Sequence, residues 1–347
     1  MEETMTRRKT LTAAAVAPVV SLFSKEAFSA ASHETGSGRE SFWWPGPDRN
    51  LVRDLKPWAT PIRLANYVVY DGKISPGDWV KAIRDSGLTA AAVPPDPWGT
   101  VGDSVIRELK AALAQHDVEI FEVCGYCNIL HTEETARQKN LHHVARCVEV
   151  AERIGCRAVA TVSGSRNHEE NRWLDNYAVH PDNWTMATWN ILLDGIRQIL
   201  RETSGMKAAI ALEAQVTTNI DGPLAHKRLI EDIGDPRFKV MLDPINMVTW
   251  NNYYHTAELI NECFDLLGEN IVGCHGKDTV ALIHEQTLHI QELCTGRGIF
   301  DHEMYLVRMS RMQWPRSIWP DHIPAEQMPE AYAYIRKTAE RVGVKIY

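Results

Sequence analysis

Residues 208–215 read AAIALEAQ, a run of small apolar residues that ends at a carboxylate, Glu213. A short apolar run of this kind is typical of a buried strand, so we expect a strand that presents Glu213 at its end. Three later stretches repeat the arrangement: KVMLD ends at Asp243, NIVGCH ends at His275, and RSIWPDH contains Asp321 and His322. The same pattern therefore occurs four times along the chain.

The spacing of these residues indicates how the four strands are connected. Glu213 and Asp243 are 30 residues apart, Asp243 and His275 are 32 apart, and His275 and Asp321 are 46 apart. One strand, one helix and two loops fill about that length in a βα unit. Because the ends of parallel strands open on one face of a barrel, we expect these side chains to converge there.

The remainder of the chain alternates between strand and helix patterns from residue 59 to residue 347. Further strands are expected at 62–69, 89–93, 118–123 and 158–162, and helical periodicity or capping residues separate all eight strands. We therefore predict an α/β fold with a single domain, a (β/α)8 TIM barrel at residues 59–347. About 290 residues suffice for one such barrel with extensions.

The first 58 residues differ in composition from the rest. Residues 1–32 contain Arg7-Arg8-Lys9, then a short apolar run and small residues, which is the layout of a twin-arginine-type signal peptide. The run is too short to span a bilayer and contains Pro18, so we expect no stable membrane insertion. We predict export to the periplasm or another extracytoplasmic location, followed by a surface arm at residues 33–58 that is rich in turn formers.

The overall charge restricts the partners. The formal net charge is −8, and Arg7-Arg8-Lys9 is the one run of basic residues. Nucleic-acid binding normally needs a basic face, so we expect no nucleic-acid partner. A homo-oligomer remains open.

The convergent residues themselves indicate a metal site. Two carboxylates, a histidine and a third acidic group in one pocket repel one another unless a cation lies between them. We therefore interpret Glu213, Asp243, His275 and Asp321 as ligands of one divalent metal ion.

Together with HGKD at 275–278 and GRG at 296–298, these strand ends resemble the xylose isomerase-like TIM-barrel superfamily, in particular the sugar (phosphate) isomerase/epimerase branch with the ketose 3-epimerases. The resemblance covers roughly residues 60–345. It implies one divalent ion, most often Mn²⁺, with Co²⁺, Mg²⁺ or Zn²⁺ as alternatives. It also assigns ligand roles to Glu213, Asp243 and His275.

The chain departs from that family pattern at two positions. The fourth ligand is usually a glutamate before a histidine, whereas this chain has Asp321, with His322 as the alternative ligand. Three residues after Asp243 the epimerases have a substrate-binding histidine, and this chain has Asn246. An amide can hydrogen-bond a hydroxyl but cannot carry a proton.

The expected chemistry is proton abstraction next to a carbonyl that a metal ion polarises. The resemblance implies Glu213 and Asp321 as acid/base groups, and Lys277 or His322 is the alternative second proton carrier. Lys277 and Asp278 can also be interpreted as an ion pair at the barrel rim, and Gly296 and Gly298 as either a tight turn or a phosphate cradle. The expected substrate-binding residues are Asn246, Trp250, His322, Trp98 and Glu122.

Four functions fit these observations. The first is a divalent-metal-dependent isomerase or epimerase of a small carbohydrate, and the second is a metal-dependent lyase or hydratase of a 3-keto-glycoside. An apurinic endonuclease-like enzyme is a third interpretation, which the net charge and Asn246 disfavour. A sugar-binding protein without catalysis is the fourth, and its support is the aspartate at position 321.

Overall fold

The computed structural model describes residues 60–167, 176–282, 289–313 and 316–347. The predicted export signal at 1–32 and the predicted arm at 33–58 lie outside the described residues, so both stay predictions. In the described part of the chain, no helix combines the length and the apolar character needed to cross a membrane.

The strands form one closed barrel and one separate hairpin. They are β1 (Arg63–Tyr67), β2 (Ala90–Val93), β3 (Glu119–Asn128), β4 (Ala158–Val162), β5 (Ala209–Glu213), β6 (Phe238–Leu242), β7 (Ile271–His275), β8 (Asp278–Leu282), β9 (His289–Leu293) and β10 (Ser317–Trp319). Eight of them are parallel and close into a barrel in the order β1-β10-β7-β6-β5-β4-β3-β2, whereas β8 and β9 form the two-stranded hairpin. The structure confirms the single closed barrel of eight parallel strands.

The α-helices of the described residues connect these strands on the outside. They are α1 (Pro76–Asp85), α2 (Asp103–His116), α3 (Glu134–Ile154), α4 (Met186–Glu202), α5 (Pro223–Ile233), α6 (Thr256–Leu267), α7 (His302–Ser310) and α8 (Met328–Arg341). The apolar side chains between the strands and the helices form the larger core. Alternate residues of a barrel strand point inward, and here the inward layer is mostly alanine with Phe121, Met241 and Trp319.

The barrel register sets the height at which the polar residues emerge. Trp319 pairs with His275, so Asp321 follows two residues beyond the level of His275. The buried Tyr305 hydroxyl lies 3.2 Å from the carbonyl oxygen of Leu242 and 3.1 Å from that of His275. This side chain from α7 therefore ties the ends of β6 and β7 together directly below the polar residues.

The β8–β9 hairpin was not expected from the sequence. It pairs antiparallel from Asp278 with Leu293 to Leu282 with His289. The β9 residues are largely exposed and lack a continuous apolar pattern, so the usual strand signal is weak there. Strand β3 also extends to Asn128, beyond the expected end at Val123.

The buried Asp278 carboxylate holds the base of this hairpin. Its Oδ2 accepts hydrogen bonds from the amides of Gly296 and Gly298, both at 2.9 Å, and its Oδ1 accepts from those of Thr279 at 2.8 Å and Phe300 at 3.1 Å. These glycines therefore form a tight turn around a carboxylate, and their amides are already occupied. The phosphate-cradle interpretation was wrong, and Asp278 is not paired with a neighbouring lysine.

Removing this carboxylate should destabilise the fold. We expect Asp278→Ala to lower the unfolding free energy by roughly 3 kcal/mol, because four amides lose their acceptor in a buried turn. Gly298→Ala should also destabilise, since a Cβ there would lie 2.2 Å from Asp278 Oδ1. Urea unfolding followed by circular dichroism measures both. Gly222→Ala is the control, because a Cβ at Gly222 meets no atom within 4 Å. An Asp278→Ala protein as stable as this control would contradict the assignment.

Candidate metal centre

Three side chains from neighbouring strand ends meet at the barrel mouth. Glu213, Asp243 and His275 each offer one donor atom, and these atoms all lie within 4.8 Å of one another. The His275 Nδ1 lies 3.5 Å from Glu213 Oε1 and 3.6 Å from Asp243 Oδ2. All three residues are buried. The convergence expected from the strand spacing is therefore present.

The backbone turn after β6 orients the Asp243 carboxylate. Pro244 starts a short 3₁₀ helix, and Asp243 Oδ1 accepts from the amides of Ile245 at 3.1 Å and Asn246 at 3.4 Å. The second oxygen, Oδ2, faces the cluster, with the Lys277 ammonium 3.1 Å away and His275 Nδ1 3.6 Å away. The cap thus uses one carboxylate oxygen and leaves the other available as a ligand.

The Glu122 carboxylate orients the His275 ring from behind. Glu122 Oε2 lies 3.3 Å from His275 Nε2, and its Oε1 accepts from the Tyr126 hydroxyl at 3.1 Å and from Cys124 Sγ at 3.3 Å. A carboxylate can only accept, so the proton of a neutral His275 lies on Nε2 and the Nδ1 lone pair faces Glu213 and Asp243. Glu122 was expected on the pocket wall, but it is fully buried behind the histidine.

These donors suit a divalent cation. Ligand atoms that lie about 2.1 Å from one ion are roughly 3.0 Å apart when cis and roughly 4.2 Å apart when trans. The observed separations from His275 Nδ1 fall in this interval. His275 Nδ1 is buried without a hydrogen-bond partner in the described chain, which is costly for a polar atom unless a ligand satisfies it.

Asp321 and His322 occupy different positions beside this cluster. Asp321 Oδ2 lies 3.7 Å from His275 Nδ1, so this carboxylate faces the donor set. His322 points outward, with Nδ1 3.0 Å from Glu292 Oε2 and Nε2 3.4 Å from Asp321 Oδ2. Of the two alternative fourth ligands, Asp321 is the one directed towards the other three residues.

Lys277 and Asn246 lie beside the carboxylates rather than on the pocket wall. The Lys277 Nζ is 3.1 Å from Asp243 Oδ2 and donates to Asn246 Oδ1 at 3.0 Å. The other end of the Asn246 amide donates to Glu213 Oε1 at 2.5 Å. Both ends of this amide are therefore engaged inside the protein, and Asn246 links Glu213 to Lys277 instead of facing a substrate.

The charges of the cluster shift the pKa values of its basic groups. Burial alone would lower the pKa of Lys277, but Asp243 and Glu213 outweigh it and raise that pKa above its usual value. Burial opposes the protonated form of His275 as well, yet Glu213, Asp243 and Glu122 raise its pKa well above the usual range. The carboxylates thus favour the charged form of Lys277 and the protonated form of His275, so a metal ion at His275 Nδ1 would compete with a proton.

A cavity of about 670 Å³ lies above the cluster. Glu213 and Asp321 open onto it, whereas Asp243, His275 and Lys277 lie beneath its floor. Its wall combines aromatic rings with polar side chains, including Tyr67, Tyr126, Tyr177, Trp319, Asn128, Asn140, Asn176, His131 and His322. Trp319 packs edge-on to His275, with 5.1 Å between ring centroids.

Two expected sugar-binding tryptophans lie elsewhere. Trp98 is fully buried and stacks on Tyr70, with ring centroids 4.6 Å apart, so it is part of the core. Trp250 is 38% exposed, packs against Tyr253 and does not line the cavity. The structure instead places Trp319 and Tyr177 on the wall. Trp319 ends β10 in the stretch RSIWPDH, close to Asp321, but nothing in the local sequence marks Tyr177.

Residues 80–338 match the family described as the xylose isomerase-like TIM barrel. This range covers most of the chain. The chain belongs to this family. No curated protein matches it.

Solved structures with the same fold have different activities. The 3-keto-D-glucoside 4-epimerase of E. coli is 14% identical, with a TM-score of 0.52 and coverage of 80% of this chain and 99% of that one. The D-psicose 3-epimerase of Clostridium cellulolyticum, solved with D-tagatose, is 10% identical, with a TM-score of 0.57 and coverage of 82% and 100%. Endonuclease IV of Thermus thermophilus is 16% identical, with a TM-score of 0.61 and coverage of 80% and 99%. These identities establish the fold alone.

The role of Glu122 behind His275 can be tested by metal affinity. We expect Glu122→Ala to weaken Mn²⁺ binding by roughly 10- to 100-fold, the usual effect of losing a carboxylate that orients a histidine ligand. Glu122→Gln keeps an acceptor for Nε2–H, so its loss should be smaller. Isothermal titration with Mn²⁺ gives both values. Glu119→Gln, at the opposite end of β3, is the control and should bind as the unmodified protein does. Equal affinity in Glu122→Ala would show that the histidine needs no such partner.

Proposed function

We propose that this protein is a divalent-metal-dependent sugar isomerase or epimerase that removes a proton next to a carbonyl group. The observation that carries the proposal is the donor set of Glu213, Asp243 and His275, in which the buried His275 Nδ1 has no hydrogen-bond partner among the described residues and faces both carboxylates. We propose Asp321 as the fourth ligand, since it faces His275 Nδ1. Mn²⁺ is the expected ion, with Co²⁺, Mg²⁺ or Zn²⁺ as alternatives.

When bound, the ion supplies a positive charge that polarises a substrate carbonyl and acidifies the adjacent C–H bond. Glu213 is the proposed base, because its carboxylate both belongs to the donor set and opens onto the cavity. The Asn246 amide holds Glu213 Oε1 in place and so fixes the direction of the carboxylate. Lys277 lies beneath the floor among carboxylates, which argues against it as the second proton carrier and favours an electrostatic role.

The composition of the cavity wall supports a carbohydrate substrate. Aromatic rings pack on the apolar faces of sugars, and the amides of Asn128, Asn140 and Asn176 offer both donors and acceptors for hydroxyl groups. Burial and the neighbouring Glu213 raise the pKa of Tyr177, so this phenol stays a hydrogen-bond donor. A small sugar or sugar derivative can use all of these groups.

A 3-keto-glycoside is the second candidate substrate, with elimination or hydration as the reaction. The cavity volume of about 670 Å³ favours it, because this volume leaves room beyond a single ketose ring. The fold of a 3-keto-D-glucoside 4-epimerase is compatible with such a substrate. Elimination also needs just one base beside the metal ion, and Glu213 meets that requirement.

The remaining two interpretations have less support. Endonuclease IV shares the fold, but the net charge of −8 and the internally engaged Asn246 argue against a nucleic-acid substrate. A sugar-binding protein without catalysis would need no carboxylate base at the cavity floor. Glu213 occupies that place.

Solvent-isotope exchange tests the proposed chemistry. With Mn²⁺ in D₂O, the protein should incorporate deuterium next to the carbonyl of a ketose such as D-fructose or D-tagatose, or of a 3-keto-D-glucoside. Glu213→Gln should lose at least ~100-fold in exchange rate, the usual scale of general-base loss. His275→Ala should lose Mn²⁺ binding as well. NMR measures exchange, and titration measures the metal.

Glu149→Gln, an exposed change on α3, is the matched control and should exchange as the unmodified protein does. Aglycone release from a 3-keto-D-glucoside, without exchange in free ketoses, would select the second candidate. Full exchange in Glu213→Gln would move the base to another residue. Sugar binding without exchange in any substrate would leave a binding protein.

Export forms a further part of the proposal and restricts the substrate. Arg7-Arg8 before a short apolar run predicts a mature chain that starts near residues 30–32 and works outside the cytoplasm. A neutral or oxidised sugar then fits better than a sugar phosphate. N-terminal sequencing of protein from the cell envelope should find that start, and a double change of Arg7 and Arg8 to lysine should abolish processing. An intact Met1 on cytoplasmic protein, unaffected by the double change, would refute export.

A further inference from the structure

The Lys277 ammonium lies inside a ring of oxygen atoms. Its Nζ is 3.0 Å from Asn246 Oδ1, 3.1 Å from Asp243 Oδ2, 3.3 Å from Glu292 Oε1 and 3.9 Å from Asp321 Oδ2. The Lys277 side chain is about 1% exposed. Three carboxylate oxygens and one amide oxygen around a buried site are a donor set that metal cations also accept.

Two of these oxygens also face the donor set of the candidate metal centre. Asp243 Oδ2 and Asp321 Oδ2 lie 3.6 Å and 3.7 Å from His275 Nδ1. Both oxygens therefore have His275 Nδ1 and Lys277 Nζ as neighbours within 4 Å. In centres with two metal ions, shared carboxylates hold two cations about 3.5–4 Å apart. The ammonium stands where the second cation of such a pair would be.

We propose that Lys277 is a built-in second cation, which limits the centre to one divalent ion per chain. The inference rests on the proposed metal site. Its physical reason is occupancy: the ammonium already fills the position and engages the oxygens of Asp243, Glu292 and Asp321 that a second divalent ion would need. A second divalent ion this close to the ammonium would also meet direct Coulomb repulsion from it.

Asn246, Asp278 and Glu292 together hold the Lys277 ammonium in this position. Asn246 Oδ1 accepts from Nζ while its Nδ2 donates to Glu213, so the amide spaces the lysine from that carboxylate. Directly after Lys277, the buried Asp278 carboxylate is fixed by four backbone amides. Glu292, which the β8–β9 hairpin brings over Nζ, completes the ring of oxygens from the outside.

Mn²⁺ binding to the full-length protein tests the inference. The unmodified protein should bind one Mn²⁺ per chain and give the electron paramagnetic resonance spectrum of an isolated ion. Lys277→Ala removes the ammonium and its stem, so it should bind two Mn²⁺ ions whose spectrum shows spin coupling. Lys277→Arg keeps the charge and should bind one. Lys239→Ala is the control, because Lys239 lies on β6 away from the cluster and donates to Asn270.

Lys277→Met guards against a folding defect in the alanine variant, since it keeps the buried volume but not the charge. It should bind its one Mn²⁺ at least tenfold more tightly, because a neighbouring cation has gone. One uncoupled ion in folded Lys277→Ala, or unchanged affinity in Lys277→Met, would overturn the inference while leaving the metal site intact. Two ions in the unmodified protein would overturn it as well. Absence of Mn²⁺ binding in the unmodified protein would remove the proposed function itself.

Discussion

Electrostatic repulsion among carboxylates is the constraint on which the barrel mouth depends. Glu213, Asp243 and Asp321 lie at or just beyond the ends of three different strands, and the parallel barrel brings their carboxylates around His275 Nδ1. Buried like charges at such distances are tolerated only with compensating cations. Lys277 supplies one positive charge within the chain, and the lone pairs left without partners are suited to bind another. The candidate site is therefore a consequence of charge balance in a closed barrel.

The groups around these carboxylates each fix the orientation of one side chain or the position of a strand end. The backbone amides after Asp243 donate hydrogen bonds to one oxygen of its carboxylate, so the other oxygen stays directed at the cluster. Glu122 fixes the tautomer of His275. The Tyr305 hydroxyl lies within hydrogen-bond distance of the backbone carbonyls of Leu242 and His275. It therefore holds the ends of β6 and β7 together. A site held in this way is prearranged, and little reorganisation is needed when a cation binds.

The sequence predicts the barrel and the donor set because both depend on local signals. An apolar run that ends at Glu213 or Asp243 is visible in eight residues, and the regular spacing indicates that the strands are parallel. The orientation of Glu122 depends on which β3 residues point inward, and the contact of Glu292 with Lys277 depends on β9, an exposed strand with a weak strand pattern. Trp98 was misplaced because stacking on Tyr70 is a tertiary contact that no local pattern reveals.

The positions of the residues, on the cavity wall or beneath its floor, also restrict which of them can transfer a proton to or from a substrate. Isomerisation or elimination can proceed with Glu213 as the single base, whereas epimerisation needs a second group on the opposite face of the substrate. Lys277 lies beneath the floor, which leaves Asp321 and His322 among the cavity residues that can fill this role. The hydrogen bond that His322 donates to Glu292 raises the pKa of His322, which favours the protonated imidazole. With Asp321 facing His275 Nδ1, His322 is the wall residue that a two-sided reaction would use as its second group, whereas a one-base elimination would not need it.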